Sequence, residues 1–506
     1  MPDEAVLFDD LIEEFYRVWC RYHPAEALAA GDSRIRGLLP AVGDDEFGAL
    51  QSWLESFMVG LQELNAEALD PDRRLDLEIA FGAALIEHHD LLENDWRHRD
   101  PSAFLPLRPL IPLLTAAPAE RRRALLKQIL PDIPPLLRQA QSHLPHFGPL
   151  VAPALVEGAG RESQRVLGWL DYLRSGGGCT SQEAHPELPR LLEEAHEAVR
   201  GYRRFLQHEL LPAAAGEPGC GEARFQRLLR YRHGCTLSME AVRTHLGRWR
   251  DEYPLSMDET SPQGERISAA SQAGGCREEM ERLQRMASEL SWLPRAEGTP
   301  QVVAWPGVPL LAGRVDNTFW LGNAPVTQAQ LRILCLDHGP MGGFLLQRMA
   351  GEAVRSWPRR LYPAAALHGA WGLFLSDRLI SADLFGAGEA SEHRQRLAQA
   401  LEAARLDLDI HLGAVSEAEG LKRLRQAGWD EEGAHDRLVE IVRRPVEALA
   451  TVLGWRMLAA LVGGNDEAEA DRLQAVLRVG QAPLPLVVRN VFGSDAAVRL
   501  LEGKGL

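Results

Sequence analysis

The chain has 506 residues, 45% of them hydrophobic and 25% charged, the composition of a folded globular protein with a sizeable core. Lys plus Arg number 55 and Asp plus Glu 71, a net charge of −16 that repels a phosphate backbone and argues against nucleic acid as a partner. No apolar run is long enough to span a bilayer, Met-Pro-Asp-Glu-Ala-Val has no basic region of a signal peptide, and the six cysteines are scattered without a Cys-x-x-Cys pair; the expectation is a cytoplasmic protein with reduced thiols and no membrane partner.

Helical periodicity dominates. Leu7, Leu11, Phe15 and Val18 recur at helical spacing, with Phe8, Ile12 and Tyr16 beside them and Asp9, Asp10, Glu13 and Glu14 on the wet face. This helix stops near His23-Pro24. A second runs from about Asp44 to Asn65. A third opens at Asp70-Pro71, a cap followed by proline at the first helical position, and continues to about Trp96. It carries Glu87-His88-His89-Asp90, whose adjacent positions point in different directions and make a polar patch, not a metal clamp. Arg99-Asp100-Pro101 breaks it, and helices follow over 102–115, 119–130, 132–144 and 160–174. Gly176-Gly177-Gly178 is a loop: no Gly-Lys-Ser/Thr follows to make a phosphate cradle. Further helices span 183–210, 222–230, 237–252 and 268–291, separated by the linker Ala213–Gly221 and the polar loop Ser256–Gly264.

The texture changes at Pro300. Gln301-Val302-Val303-Ala304-Trp305 and Asn317-Thr318-Phe319-Trp320-Leu321 are β-branched and aromatic, and predict a short β-ribbon near 301–321. Helices resume over 327–337, 342–356, 361–382, 389–412, 416–427, 431–441, 445–463, 466–478 and 483–491. The whole reads as one helical domain over 1–506, with an N-terminal helical portion over 1–255, a linker over 256–266 and a C-terminal portion over 267–506.

Within the C-terminal portion, His338-Gly339-Pro340-Met341-Gly342-Gly343-Phe344-Leu345-Leu346-Gln347 resembles the motif His-Glu-x-x-Pro-Gly-His-x-Leu-Gln of the bacterial family called domain of unknown function 885. That family is similar to the carboxypeptidase Taq type of helical zinc peptidase, a gluzincin. His368-Gly369-Ala370-Trp371-Gly372-Leu373-Phe374-Leu375-Ser376-Asp377-Arg378-Leu379 tracks its next motif, Glu-Gly-Trp-Ala-Leu-Tyr-Ala-Glu-x-Leu. Asp407-Leu408-Asp409-Ile410-His411 resembles Asp-Thr-Gly-Ile-His, and Pro445-Val446-Glu447-Ala448 with Thr451 and Gly454 resembles Pro-Gly-Gln-Ala-x-x-Tyr-x-x-Gly. The matches keep the family's order along the chain.

The resemblance implies a mainly α fold with a central cleft, and a zinc site whose base and second histidine are here Gly339 and Phe344. A catalytic zinc takes three protein ligands, and hydrolysis needs a carboxylate to accept the water's proton. Glycine cannot act as a base and phenylalanine cannot ligate. The expectation is therefore a pseudo-peptidase with no catalytic residue at the base position and no cofactor, which binds a peptide or small molecule in its cleft. The candidate cleft residues are Asp337, His338, Phe344, Gln347, His368, Trp371, Asp407, His411 and Thr451. One alternative is a divergent hydrolase or transferase with a rebuilt site, in which His338, His368 and His411, with Asp337 and Asp407, hold zinc or another divalent metal; another is a structural or interaction protein with Phe344 and its neighbours filling the cleft. Cys335 and His338, three apart on a helix, offer a thiol nucleophile and base, against a core role for a cysteine in an apolar run. Trp305, Trp320, Trp371 and Phe344 either line an apolar ligand cavity or fill the core.

Overall fold

The structure, a computed structural model, describes residues 3–30, 39–105, 110–111, 114, 117–175, 186–254, 265–294, 297–304, 312–315, 318–322, 324–353, 356–363, 365–462 and 467–502. The Gly176–Gly178 loop, the linker at 256–264, and Trp305 lie outside these.

The N-terminal helices follow their sequence punctuation. Helix α1 (Glu4–Tyr22) starts at Asp3, whose carboxylate accepts the Ala5 N–H, and buries Phe8, Ile12, Phe15 and Tyr16. Pro24 opens the short α2 (Pro24–Ala29), because proline lacks only an N–H that the first turn leaves unpaired. Helices α3 (Asp44–Glu63) and α4 (Pro71–Glu93) pack beside α1, and Asp70 caps α4 by accepting from the N–H groups of Asp72 and Arg73. The next layer is α5 (Ala119–Ile129), α6 (Ile133–His143), α7 (Pro153–Arg174) and α8 (Leu188–Phe205), followed by α9 (Glu222–Tyr231) and α10 (Met239–Glu252). Of the expected helix over 102–115, the described portion begins with a 3-10 turn at Pro101–Phe104.

Strand β1 (Arg266–Ile267) precedes α11 (Ala269–Glu289). The expected ribbon is a three-stranded sheet: β2 (Gln301–Ala304), β3 (Ala312–Val315) and β4 (Thr318–Leu321), in the order β2-β4-β3. Strand β2 runs parallel to β4, with Val302 opposite Phe319, so the two are not a hairpin. Strand β5 (Val326–Thr327) pairs antiparallel with β1.

The C-terminal helices are α12 (Gln328–His338), α13 (Gly343–Ala353), α14 (Trp357–Leu361), α15 (Ala365–Ser381), α16 (Ala387–His411), α17 (Glu417–Gln426), α18 (Glu431–Arg443), α19 (Glu447–Leu461), α20 (Glu467–Arg478), α21 (Leu484–Phe492) and α22 (Ser494–Leu501). The helix expected over 361–382 is α15, which starts at Ala365, since Pro363 disfavours helical backbone at Tyr362, which is extended; the short α14 before it is not among the expected elements. Helix α22 lies beyond the last expected element. The main hydrophobic cluster runs from Leu75 on α4 through Phe225, Trp249 and Trp371 to Leu501, so both halves of the chain contribute to one core. Helices α15 and α19 are its centre and pack on each other closely enough that Ala370 touches Gly454. The fold is mainly α, and no helix among the described residues is long and apolar enough to cross a membrane.

Candidate functional site

The apolar residues of the motif stretch are tightly packed. Phe344 is buried, and Trp371 is 1% exposed with its indole N–H donating to the Met341 carbonyl at 2.8 Å. The space beside Trp371, between Leu346, Leu367 and Leu477, is about 10 Å³, no more than one water molecule. A Cβ at Gly339 would lie 2.2 Å from the Cys335 carbonyl oxygen and 2.5 Å from the Met280 sulfur, so the base position has no room for a side chain. A Cβ at Gly372 would lie 2.3 Å from the Asp337 carboxylate, which pairs with Arg396 at 2.5 Å. The imidazole of His338 stacks on Phe319, ring centres 5.3 Å apart. Gln347 and His368 are half-buried. Thr451 donates to the Glu447 carbonyl and fills the space above Gly369.

Among the described residues, Phe344, Trp371 and their neighbours fill the space beside Trp371 where the cleft is expected. The thiol reading also changes. Cys335 is fully buried and faces Cys276 across two helices, sulfur to sulfur 2.8 Å. That contact, with burial, raises the thiol pKa far above its ordinary value and leaves it inert.

Asp407 and His411 lie deep in the core, elsewhere. Asp407 is 0% exposed and accepts the N–H groups of Val446 and Leu449 at 3.0 and 3.1 Å, capping α19 from α16. His411 accepts the Cys220 N–H on Nδ1 at 3.2 Å and donates from Nε2 to the Ile441 carbonyl at 2.9 Å. Burial lowers its pKa to about 4, so the ring is neutral and ties three backbone segments together.

Open space lies beside α4, away from these residues. An open cavity of about 680 Å³ is lined by α1, α2, α3 and α4, the turn after α9, the α14–α15 connection and the α18–α19 junction. Its wall is rich in rings: Phe15, Tyr16, Trp19, Tyr22, Phe47, Trp96, Tyr231 and Tyr362. None of the nine residues expected to line the cleft reaches it.

The polar side of the wall is organised by Glu87. Its two oxygens accept from the Trp19 indole at 2.7 Å and bond the His23 Nε2 at 2.6 Å, and the Trp19 and His23 rings stack 3.9 Å apart. Burial works against both charges. Even so, the Glu87 charge and hydrogen bond hold the His23 pKa above its ordinary value. In turn His23, Trp19 and Arg232 hold the Glu87 pKa below its own. The two form an ion pair. The polar cluster at the end of α4 therefore splits four ways: Glu87 to α1 and His23, His88 to Glu55, His89 to Glu93, and Asp90 to Arg224.

No family model matches the chain, and no curated protein matches it. Solved structures share its fold, two provisionally assigned lipoproteins among them. One is a provisionally assigned lipoprotein of unknown function from Shewanella oneidensis, with a TM-score of 0.70 and 13% identity over 95% of this chain and 98% of that one. The other is a provisionally assigned lipoprotein from Colwellia psychrerythraea, with a TM-score of 0.64 and 14% identity over 97% and 99%. At such identity the likeness is one of fold alone.

The residues do not fit a catalytic zinc. Among the described residues no three His, Cys, Asp or Glu side chains are grouped so as to hold a metal ion, and His338, His368 and His411 do not converge. The cavity residues were missed in the sequence because their signals are separate. Trp19 and His23 are four apart on one segment, Glu87 and Asp90 three apart on another, and 64 residues divide His23 from Glu87.

Proposed function

We propose that this chain is a pseudo-peptidase, a metallopeptidase-like protein of the domain-of-unknown-function-885 type, that binds a small molecule or peptide and performs no zinc-dependent hydrolysis. The observation that supports binding is the ring-lined cavity of about 680 Å³, within the range of small-molecule sites. What supports the loss of the peptidase chemistry is the base position: Gly339 is hemmed in by the Cys335 carbonyl and Met280. The ligand site of this reading is the cavity beneath α1 and α4, displaced from the motif residues.

Two measurements test it. N-phenyl-1-naphthylamine fluoresces in apolar cavities. It should bind the wild type and lose binding in Ala83→Trp, since Ala83 is an exposed residue on the cavity wall and a bulky ring there fills the space. Elemental mass spectrometry after incubation with zinc should find no stoichiometric metal; zinc lost on His338→Ala would overturn the reading. The compartment belongs to the same proposal: we place the protein in the cytoplasm, on its scattered thiols. The lipoprotein description of the two fold neighbours sets the contrary outcome, recovery in the membrane fraction of lysed cells.

A further inference from the structure

We propose that the cavity takes a small organic anion, an aromatic or apolar body carrying a carboxylate or similar head group, seated on Arg232. This rests on the reading that the cavity is a ligand site. The argument is one of charge pairing around its wall. The carboxylates there are engaged: Asp90 by Arg224 at 2.8 and 2.9 Å, Asp100 by Arg443 at 2.9 Å, Glu447 by Arg444 at 3.4 Å, Glu162 by Arg165 at 3.8 Å. Glu87 is held by His23 and Trp19. Glu26 is exposed to water.

Arg232 is the exception among the cations. It is half-buried and lines the cavity, and among the described residues its guanidinium has no hydrogen bond and no ion pair. It shares the cavity wall with Glu87 and Tyr362, and its charge is felt by both. Since His23 and Glu87 cancel and Glu26 is exposed to water, Arg232 is, among the described residues, the one unpaired charge of this corner that is not fully exposed. The hydroxyls of Tyr22, Tyr231 and Tyr362, all on the same wall, also have no hydrogen-bond partner among the described residues. A planar cation with unused donors, on a wall that also carries unused hydroxyls, matches an acceptor-only group such as a carboxylate, which arginine holds with two parallel bonds. The rings around it supply apolar contact for the rest of the molecule. A cationic ligand would find no unengaged carboxylate among the described residues of the wall except Glu26.

The test compares two dyes of similar shape, anionic 1-anilinonaphthalene-8-sulfonate and neutral N-phenyl-1-naphthylamine, by fluorescence titration of the intact protein. In Arg232→Gln the anionic dye should weaken about tenfold or more and the neutral one less than about twofold, with Arg232→Lys between wild type and Gln. An unchanged anionic dye, or an equal loss of both, overturns the assignment of Arg232. Failure of both dyes to bind wild type, or no effect of Ala83→Trp on either, overturns the cavity reading itself, a different result. Head groups are then sorted by displacing the anionic dye with 4-phenylbutyrate, phenyl phosphate and neutral 4-phenylbutyramide at millimolar concentration. Displacement by either anion supports the proposal and names its head group; equal displacement by the amide, or displacement by neither anion, overturns it.

Discussion

The Asp407 carboxylate accepts the Val446 N–H at 3.0 Å and so holds a β-branched residue in left-handed backbone, φ 75° and ψ −18°, at the start of α19. Its other oxygen takes the Leu449 N–H. Side chains such as valine rarely adopt this conformation, and it persists only where the surroundings over-determine it. Asp407→Ala would leave two buried N–H groups unpaired and should cost about 3 kcal/mol or more, read by urea unfolding. A loss below about 1 kcal/mol would refute the capping role. Burial raises the Asp407 pKa from 3.8 to about 7, against the pull of the two N–H groups. A raised acid stabilises the fold below its unfolded value and loses that contribution as pH rises through the folded one. The stability of wild type relative to Asp407→Asn should therefore fall between pH 3.8 and about 7.

The His23–Glu87 pair gives a different pH profile. The His23 pKa is raised from 6.5, so its contribution is complete below 6.5 and fades as pH climbs through the higher folded value. The Glu87 pKa is lowered from 4.5, so its contribution is complete above 4.5 and fades as pH falls through the lower folded value. The stability gap between wild type and Glu87→Gln should be widest between pH 4.5 and 6.5, at about 1–3 kcal/mol. Thermal melts across pH 4 to 9 would show it. A gap that does not vary with pH would mean that the two groups are not ionised together.

Restoring the motif residues should not restore the site. In Gly339→Glu with Phe344→His, the new glutamate meets the Cys335 carbonyl at its first carbon, and a buried ring of the core is lost. Overpacking and the loss of the Phe each cost about 1–3 kcal/mol or more. The double variant should be less stable in urea and take up no zinc. A stable protein with one bound zinc would show that the backbone here can reopen.

A buried ion pair ties the cavity's helices to the C-terminal half. Arg359 on α14 bonds Asp76 on α4 at 2.6 and 3.1 Å and the Val479 carbonyl at 2.8 Å, with 6% and 3% of the two residues exposed. Removing one partner strands a buried charge, so Asp76→Ala should cost about 3–5 kcal/mol. The double change Asp76→Leu with Arg359→Met should cost less than Asp76→Ala alone. Equal damage from both would assign the role to packing at α14.

Local signals in the sequence settled the helical fold. The Asp70-Pro71 start, the His23-Pro24 stop and the periodicity of Leu7, Leu11 and Phe15 each act within one turn of chain, where capping and burial of one face decide the outcome. The sequence also showed that Gly339 and Phe344 offer no metal chemistry. It did not show that β2 and β4 are parallel, or that a short helix, α14, precedes Tyr362-Pro363, since the first depends on what lies between the strands and the second on packing against α4.

The site was decided by tertiary structure alone. Asp407 and His411 read as cleft residues until their partners, Val446 and Ile441, are seen to be backbone groups on other helices. Trp19, Glu87, Arg232 and Tyr362 read as ordinary helix and loop residues until four distant segments line one cavity. A sequence records which side chains can pair. The packing of elements far apart in the chain determines which of them do, and that Arg232 has no partner among the described residues is visible only there.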